Sequence, residues 1–174
     1  MTENNNFNTN NNTILNNQNC DTLVKDLVER FKIAFNSHDP KTLGSVLTED
    51  AEWIDVIGYT MIGRKEIEKL HDYPFTTLLK DAELDVKSFR SKWLGDDNKI
   101  VSIDIKWESS GHRTPDGESI LGIRHGLLNF IAIKIYEKDD AILKIVLSHN
   151  NDYTSTYTQE DRKKVVNKNN TSYN

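Results

Sequence analysis

Apolar and polar residues alternate strictly from Val101 to Glu108. Val101, Ile103, Ile105 and Trp107 fall on one parity, Ser102, Asp104, Lys106 and Glu108 on the other. A period of two predicts a strand with one face in the core. After the Thr114-Pro115-Asp116-Gly117 turn signal, the next strand carries apolar residues on both faces from Leu127 to Ile135, with Asn129 among them. Pro presets φ and Gly supplies positive φ in that turn. A polar side chain inside such a run needs a partner or a cavity.

The rest of the chain follows the same logic. Leu23, Leu27, Arg30, Phe31, Ala34 and Phe35 are spaced for a helix over 21–36, with Asp21 as its cap. Ser37-His38-Asp39-Pro40 interrupts it, and 41–47 resumes as a short helix. A short strand over 52–56 leads into a loop or hairpin over 58–63. A third helix begins at Arg64 and continues to about His71 or Tyr73, where Pro74 limits it. Long strands follow over 84–94, 100–109, 120–137 and 141–150. The polar clusters at 96–98 and 138–140 predict tight turns between antiparallel neighbours. Three helices, one short strand and a four-stranded meander make an α+β domain, with helices on one face of a bent antiparallel sheet. Such a sheet can curl into a cone whose open end is a pocket.

Composition limits this domain to the middle of the chain. Ten of the first nineteen residues are Asn, and the final eight are mostly polar. Such tracts bury too little apolar surface to offset chain entropy. We therefore expect disordered tails over 1–20 and 158–174, flanking one domain over 21–157. The net charge of −5 and the dispersed basic residues argue against a nucleic-acid partner. No apolar run is long enough for a membrane span, and no secretory leader is visible. The single cysteine, Cys20, excludes an internal disulfide and a Cys-based zinc site, so a cytoplasmic protein is expected. The two-sided apolar strand needs cover away from the helices, which predicts a homodimer.

Several polar residues are placed to do chemistry. Asp55, within Trp53-Ile54-Asp55-Val56, is a base if buried and an edge carboxylate if not. Asn129 can donate to a ligand oxygen or be a satisfied core or surface Asn. His149 ends the last strand and, by alternation, shares a face with Ile145 and Leu147; it is an acid/base or a rim residue. His71 follows the third helix, and His125 points the same way as Asn129. Phe31, Phe35, Trp53 and Trp107 are candidate pocket walls, which core packing would equally explain. His112, Arg113 and Arg124 lie near strand ends, as rim contacts or solvated surface. No phosphate loop, nucleophile elbow, metal motif or nicotinamide or flavin signature is present, so no cofactor is expected.

The segments Phe35-Asn36-Ser37-His38-Asp39, Leu47-Thr48-Glu49-Asp50-Ala51-Glu52-Trp53, Gly63-Arg64-Lys65-Glu66-Ile67 with His71, Thr114-Pro115-Asp116-Gly117, Arg124-His125-Gly126 and His149-Asn150 stand in an informative order. Together they resemble the SgcJ/EcaC family of the SnoaL-like, nuclear transport factor 2-like superfamily, over about residues 23–153. The resemblance implies an α+β cone of three helices in a strongly bent sheet, commonly a homodimer through sheet faces. The family's oxidoreductase label finds no cofactor motif here. Related proteins include ketosteroid isomerases, cyclases, dehydratases and kinase association domains, so fold does not fix function. Laid on the isomerase pattern, Asp55 falls at the catalytic base, Asn129 at the oxyanion-binding acid, Phe31 at the oxyanion Tyr and His149 at a pocket aromatic. Phe31 has no hydroxyl, so part of that oxyanion site is missing. The resemblance thus implies a pocket for an apolar small molecule, with Asp55, His149 and Asn129 as candidate catalytic residues. The alternative is a non-catalytic assembly module.

Overall fold

The computed structural model describes residues 9–153, with side chains from Cys20 onward. Of the expected tails 1–20 and 158–174, residues 1–8 and all of 158–174 lie outside the described residues, as do 154–157, whereas 9–20 are not a disordered tail but part of a helix. Helix α1 spans Thr9–Asn36. It starts well before Asp21, which is therefore an interior residue and not a cap. Its Leu23, Val24, Leu27, Val28, Phe31 and Ala34 are buried. These positions recur every three or four residues, so a single face of α1 lies on the sheet.

Helix α2 (Pro40–Gly44) is a short turn of helix whose start is chemically determined. Asp39 accepts from Thr42 N at 2.9 Å, and Pro40 occupies the first helical turn, where its missing N–H costs nothing. The strands are β1 (Leu47–Ile54), β2 (Thr60–Ile62), β3 (Glu83–Leu94), β4 (Ile100–Ser110), β5 (Arg124–Glu137) and β6 (Asp140–Asp152). Helix α3 (Arg64–Thr76) lies between β2 and β3. Pro74 does not stop it. It removes one helical N–H donor in the last turn, and the helix runs only two residues further, to Thr76, with the Thr77 N–H bonding back to Pro74 O.

The sheet has six strands in the order β2-β1-β6-β5-β4-β3. The expected meander of β3 to β6 is there, with antiparallel pairings throughout. The sheet as a whole is mixed, because β1 pairs with β6 in parallel. That pairing places the end of β1 beside the end of β6. The β5–β6 turn has positive φ at both Lys138 and Asp139, the conformation that matches a hairpin's right-handed twist. β5 begins at Arg124, later than the expected Ile120. Gly122, with φ of 102°, breaks the extended run just before it.

Two irregularities decide which side chains face the helices. Between β5 and β6 the register shifts: Ala132 pairs with Ile145, but Ile131 pairs with Leu147. Val146 is the extra residue of a bulge. Beyond it, Ser148, Asn150 and Asp152 turn inward, while Leu147, His149 and Asn151 turn outward. A second shift between Val86 and Ser88 acts similarly on β3. The core of α1, β1 and the sheet's inner face is closed by Phe31, Phe130, Trp53 and Ile105. No helix among the described residues is long and apolar enough to cross a membrane.

Candidate functional site

A cavity of about 460 Å³ opens where β1, β4 and β6 end and β5 begins. Helix α3 and the two aromatics of α1 cover it. Phe31, Phe35, Trp53, Met61, Leu70, Leu79, Leu84 and Leu128 supply apolar wall. The polar lining falls into two groups, one built on Asp55 and His71, the other on Ser109, His112, Arg113, Arg124, Asn150 and Asp152. An apolar cavity with a few convergent polar groups is the usual form of a small-molecule site.

The first group is held by short-range geometry. Asp55 follows the last residue of β1, and its Oδ1 accepts from Ile57 N and Tyr59 N, both at 2.9 Å. These bonds tie the β1–β2 turn and leave Oδ2 outside it. His71 sits on α3 and is only 8% exposed. Its Nδ1 lies 2.8 Å from Ile67 O, one helical turn back. A carbonyl can only accept, so Nδ1 carries the hydrogen and Nε2 keeps its lone pair. The ring meets Trp53 edge-on at 5.1 Å. Burial pushes the imidazole below its ordinary value, while the Ile67 carbonyl and the Asp55 carboxylate oppose that shift. His71 is therefore neutral at pH 7, with a carboxylate near enough to stabilise its protonated form.

The second group comes from the strand ends. Cross-strand register puts Ser109 beside Arg124, and Gly126 between Trp107 and Asp152. Arg124 Nε donates to Asp152 at 2.6 Å, and Arg113 is paired with Asp81. His112 Nε2 lies 2.9 Å from Ser109 Oγ. Burial first, and the Arg124 charge second, push His112 down to about 4, with Asp152 opposing. In the unfolded chain this histidine takes a proton below about 6.5, whereas in the fold it resists until about 4. Stability should therefore fall as pH drops through that window, because the unfolded state binds more protons there. His71 acts in the same direction. Thermal melts of the parent and His112→Asn between pH 7 and 4 check this, and the variant is expected to show the shallower decline. A parallel pair of curves would disprove the assignment.

The placement of the sequence-derived candidates is uneven. Asp55, His71, Phe31, Phe35, Trp53 and Trp107 all line the cavity. Asn129 does not. It pairs in register with Asp104 on the outer face and donates to that carboxylate, which also accepts from Arg90 Nε at 2.5 Å. His149 is Asn129's cross-strand neighbour on β6 and is exposed. His125 lies on the same outer face, 3.4 Å from Glu108. Simple alternation from Ile145 had placed His149 inward; the bulge at Val146 reverses that. The same reversal brings in Asn150 and Asp152, which sequence reasoning missed. Tyr59 and Ser109 were also missed. His112, Arg113 and Arg124, read as rim contacts or surface, line the cavity itself. No group of His, Cys, Asp and Glu among the described residues could hold a metal ion.

The sequence matches no family model, and no curated protein matches it. Solved structures do match in three dimensions. An NTF2-like protein with a cystatin-like fold from Novosphingobium aromaticivorans has a TM-score of 0.69 at 16% identity, over 88% of this chain and 94% of that one. A type 2 hexachlorocyclohexane dehydrochlorinase (LinA) has a TM-score of 0.65 at 16% identity, over 80% of this chain and 88% of that one. A candidate calcium/calmodulin-dependent protein kinase II association domain from Xanthomonas campestris has a TM-score of 0.60 at 12% identity, over 76% of this chain and 87% of that one. At these identities the likeness concerns architecture: the chain has the cystatin-like, NTF2-like α+β fold, with helices held in a bent six-stranded sheet that does not close into a barrel.

Proposed function

We propose that this protein binds an apolar carbonyl compound in the cone and moves a proton on it without a cofactor, as an isomerase, cyclase or dehydratase does. The observation that carries this reading is the neutral, buried His71 with a free Nε2 lone pair in an open apolar cavity that Asp55 shares. In this scheme His71 is the base and Asp55 stabilises the imidazolium that forms. That assignment exchanges the roles expected for the Asp and leaves Asn129 and His149 out. His112, neutral and beside Ser109, can donate or accept a hydrogen bond at the substrate's far end. The likeness to a dehydrochlorinase supports proton-removal chemistry on this scaffold, and the motif resemblance supports placement with the SgcJ/EcaC group of SnoaL-like proteins.

Exchange of substrate α-protons for deuterium in heavy water tests the proposal, because it reports proton abstraction whatever leaves afterwards. A panel of apolar ketones should include members that raise the melting temperature and exchange faster than in buffer. If no ketone in the panel binds, the rival reading leads: a non-catalytic assembly module, as the kinase association domain likeness suggests. The polar side chains that converge in the cavity, His71 and Asp55 among them, favour the first reading over the second.

Both readings share an expected cytoplasmic homodimer. Leu127, Ile131, Ile133 and Leu147 form a half-buried apolar strip on the outer sheet face. A second copy would cover it. Sedimentation at micromolar concentration should give a dimer, and Ile131→Lys should shift it toward monomer. A monomeric parent would contradict this.

A further inference from the structure

The cavity wall contains two buried polar atoms with no hydrogen-bond partner: Trp107 Nε1 and Asn150 Oδ1. Their chemistry is opposite. An indole N–H can only donate, and an amide oxygen can only accept. Each unpaired buried group is costly, so a native structure that keeps two on one wall requires an explanation.

Their placement is specific. Trp107 is only 5% exposed. Its indole lies flat over Gly126: a Cβ there would fall 2.0 Å from Trp107 Cζ2 and 2.2 Å from Cε2. Gly126 belongs to β5, the strand between Trp107 on β4 and Asn150 on β6. The ring thus lies over β5 at Gly126, whose partner on β6 is Asp152; Asn150, opposite Leu128, is two residues along on the same face of β6. Both residues border the cavity.

We infer that this wall binds a hydroxyl group on an otherwise apolar ligand, with Trp107 Nε1–H donating to the hydroxyl oxygen and the hydroxyl in turn donating its O–H to Asn150 Oδ1. A hydroxyl is the small group that meets both needs at one oxygen. An ether or a carbonyl answers Trp107 and leaves Asn150 Oδ1 unpaired. A carboxylate fits worse still, because the cations lining the cavity, Arg113 and Arg124, are already paired with Asp81 and Asp152. His112, held neutral at physiological pH, adds no positive charge. The inference deepens the proposed function and rests on its reading of the cavity as a small-molecule site: it defines the substrate class as hydroxylated.

Matched naphthalene probes test it on the full-length protein. Calorimetry compares 2-naphthol, 2-methoxynaphthalene, naphthalene and 2-naphthoate. The naphthol is expected to bind about tenfold more tightly than the other three, as two recovered hydrogen bonds would provide. In protein carrying ¹⁵N-labelled tryptophan, the Trp107 indole resonance, assigned with Trp107→Phe, should move downfield with naphthol and not with naphthalene. In Trp107→Phe the naphthol preference should shrink while naphthalene still binds. Should that variant fail to fold, the parent's ligand ranking and the one indole signal that persists in both the Trp53 and the Trp93 variants still decide. Equal binding of naphthol and naphthalene, or an unmoved Trp107 resonance, would overturn the hydroxyl inference alone; a trapped water satisfying both atoms would give that result. Absence of binding by all four would overturn the inference and the small-molecule reading together.

Discussion

His71→Gln should slow α-proton exchange by about two to four orders of magnitude, the usual contribution of a positioned base. Glutamine can still donate to Ile67 O and fill much of the same volume, so folding should persist. The parent's pH profile carries the sharper information. Nε2 must be unprotonated to act, so kcat/KM should rise with pH to a plateau, with its inflection below the ordinary histidine value because burial lowers the imidazole. Asp55 opposes that lowering. Asp55→Asn should therefore move the inflection to lower pH and also reduce the plateau rate, since the imidazolium loses its counter-charge. A purely structural Asp55, acting only through its bonds to Ile57 N and Tyr59 N, would leave the inflection in place. An inflection unmoved in Asp55→Asn, or parent-level exchange in His71→Gln, would sink the paired assignment.

Phe31→Ala should cost about 3–5 kcal/mol of stability, the range for removing a large buried aromatic. Phe31 is fully buried at the junction of α1 and the sheet. Its ring stands edge-on to Phe130 at 4.9 Å and lies 6.3 Å from Trp53 and 6.2 Å from Phe35. Truncation to a methyl group removes all three contacts and enlarges a cavity that already borders the site. The melting temperature should fall by roughly 10–15 °C in a domain of this size. Phe31→Leu keeps most of the volume and should cost much less. If Ala and Leu variants melt together, or if Phe31→Ala melts with the parent, α1 is not anchored through this residue. Because Phe31 also lines the cavity, ligand affinity should drop in the Ala variant even at temperatures where it remains folded.

The candidate site was only partly legible in the sequence. Residues on the inward parity of well-behaved strands and helices, such as Trp107, Phe31 and Trp53, could be placed by period alone. Asp55 was expected inside a strand over 52–56, with buried base and edge carboxylate both open; β1 in fact ends at Ile54, and only the fold puts Asp55 in the cavity lining. His71 was visible as a histidine near the end of a helix, but its importance was not: the Nδ1 bond to Ile67 O and the approach of Asp55 are tertiary facts. Asn129 and His149 were misplaced for two different reasons. Asn129 lies on a strand apolar on both faces, where pattern cannot say which face meets the helices. For His149, one extra residue at Val146 inverted the parity, and a bulge leaves no mark in hydrophobicity when the residues around it are all apolar.

By itself the sequence determined the elements and their class. Alternation between Val101 and Glu108, helical spacing from Leu23 to Phe35, and turn residues at 96–98 and 138–140 are local preferences that each segment expresses on its own. They suffice for an α+β sheet with helices on one face. The tertiary structure alone decided that β1 runs parallel to β6. No local signal encodes that contact, because the pairing joins segments at least 95 residues apart through hydrogen bonds that any backbone can make. Yet it is this pairing that sets Asp55 beside the end of β6, under α3 and His71. The sequence supplied the side chains, and long-range strand pairing, refined by one bulge, selected which of them share a cavity.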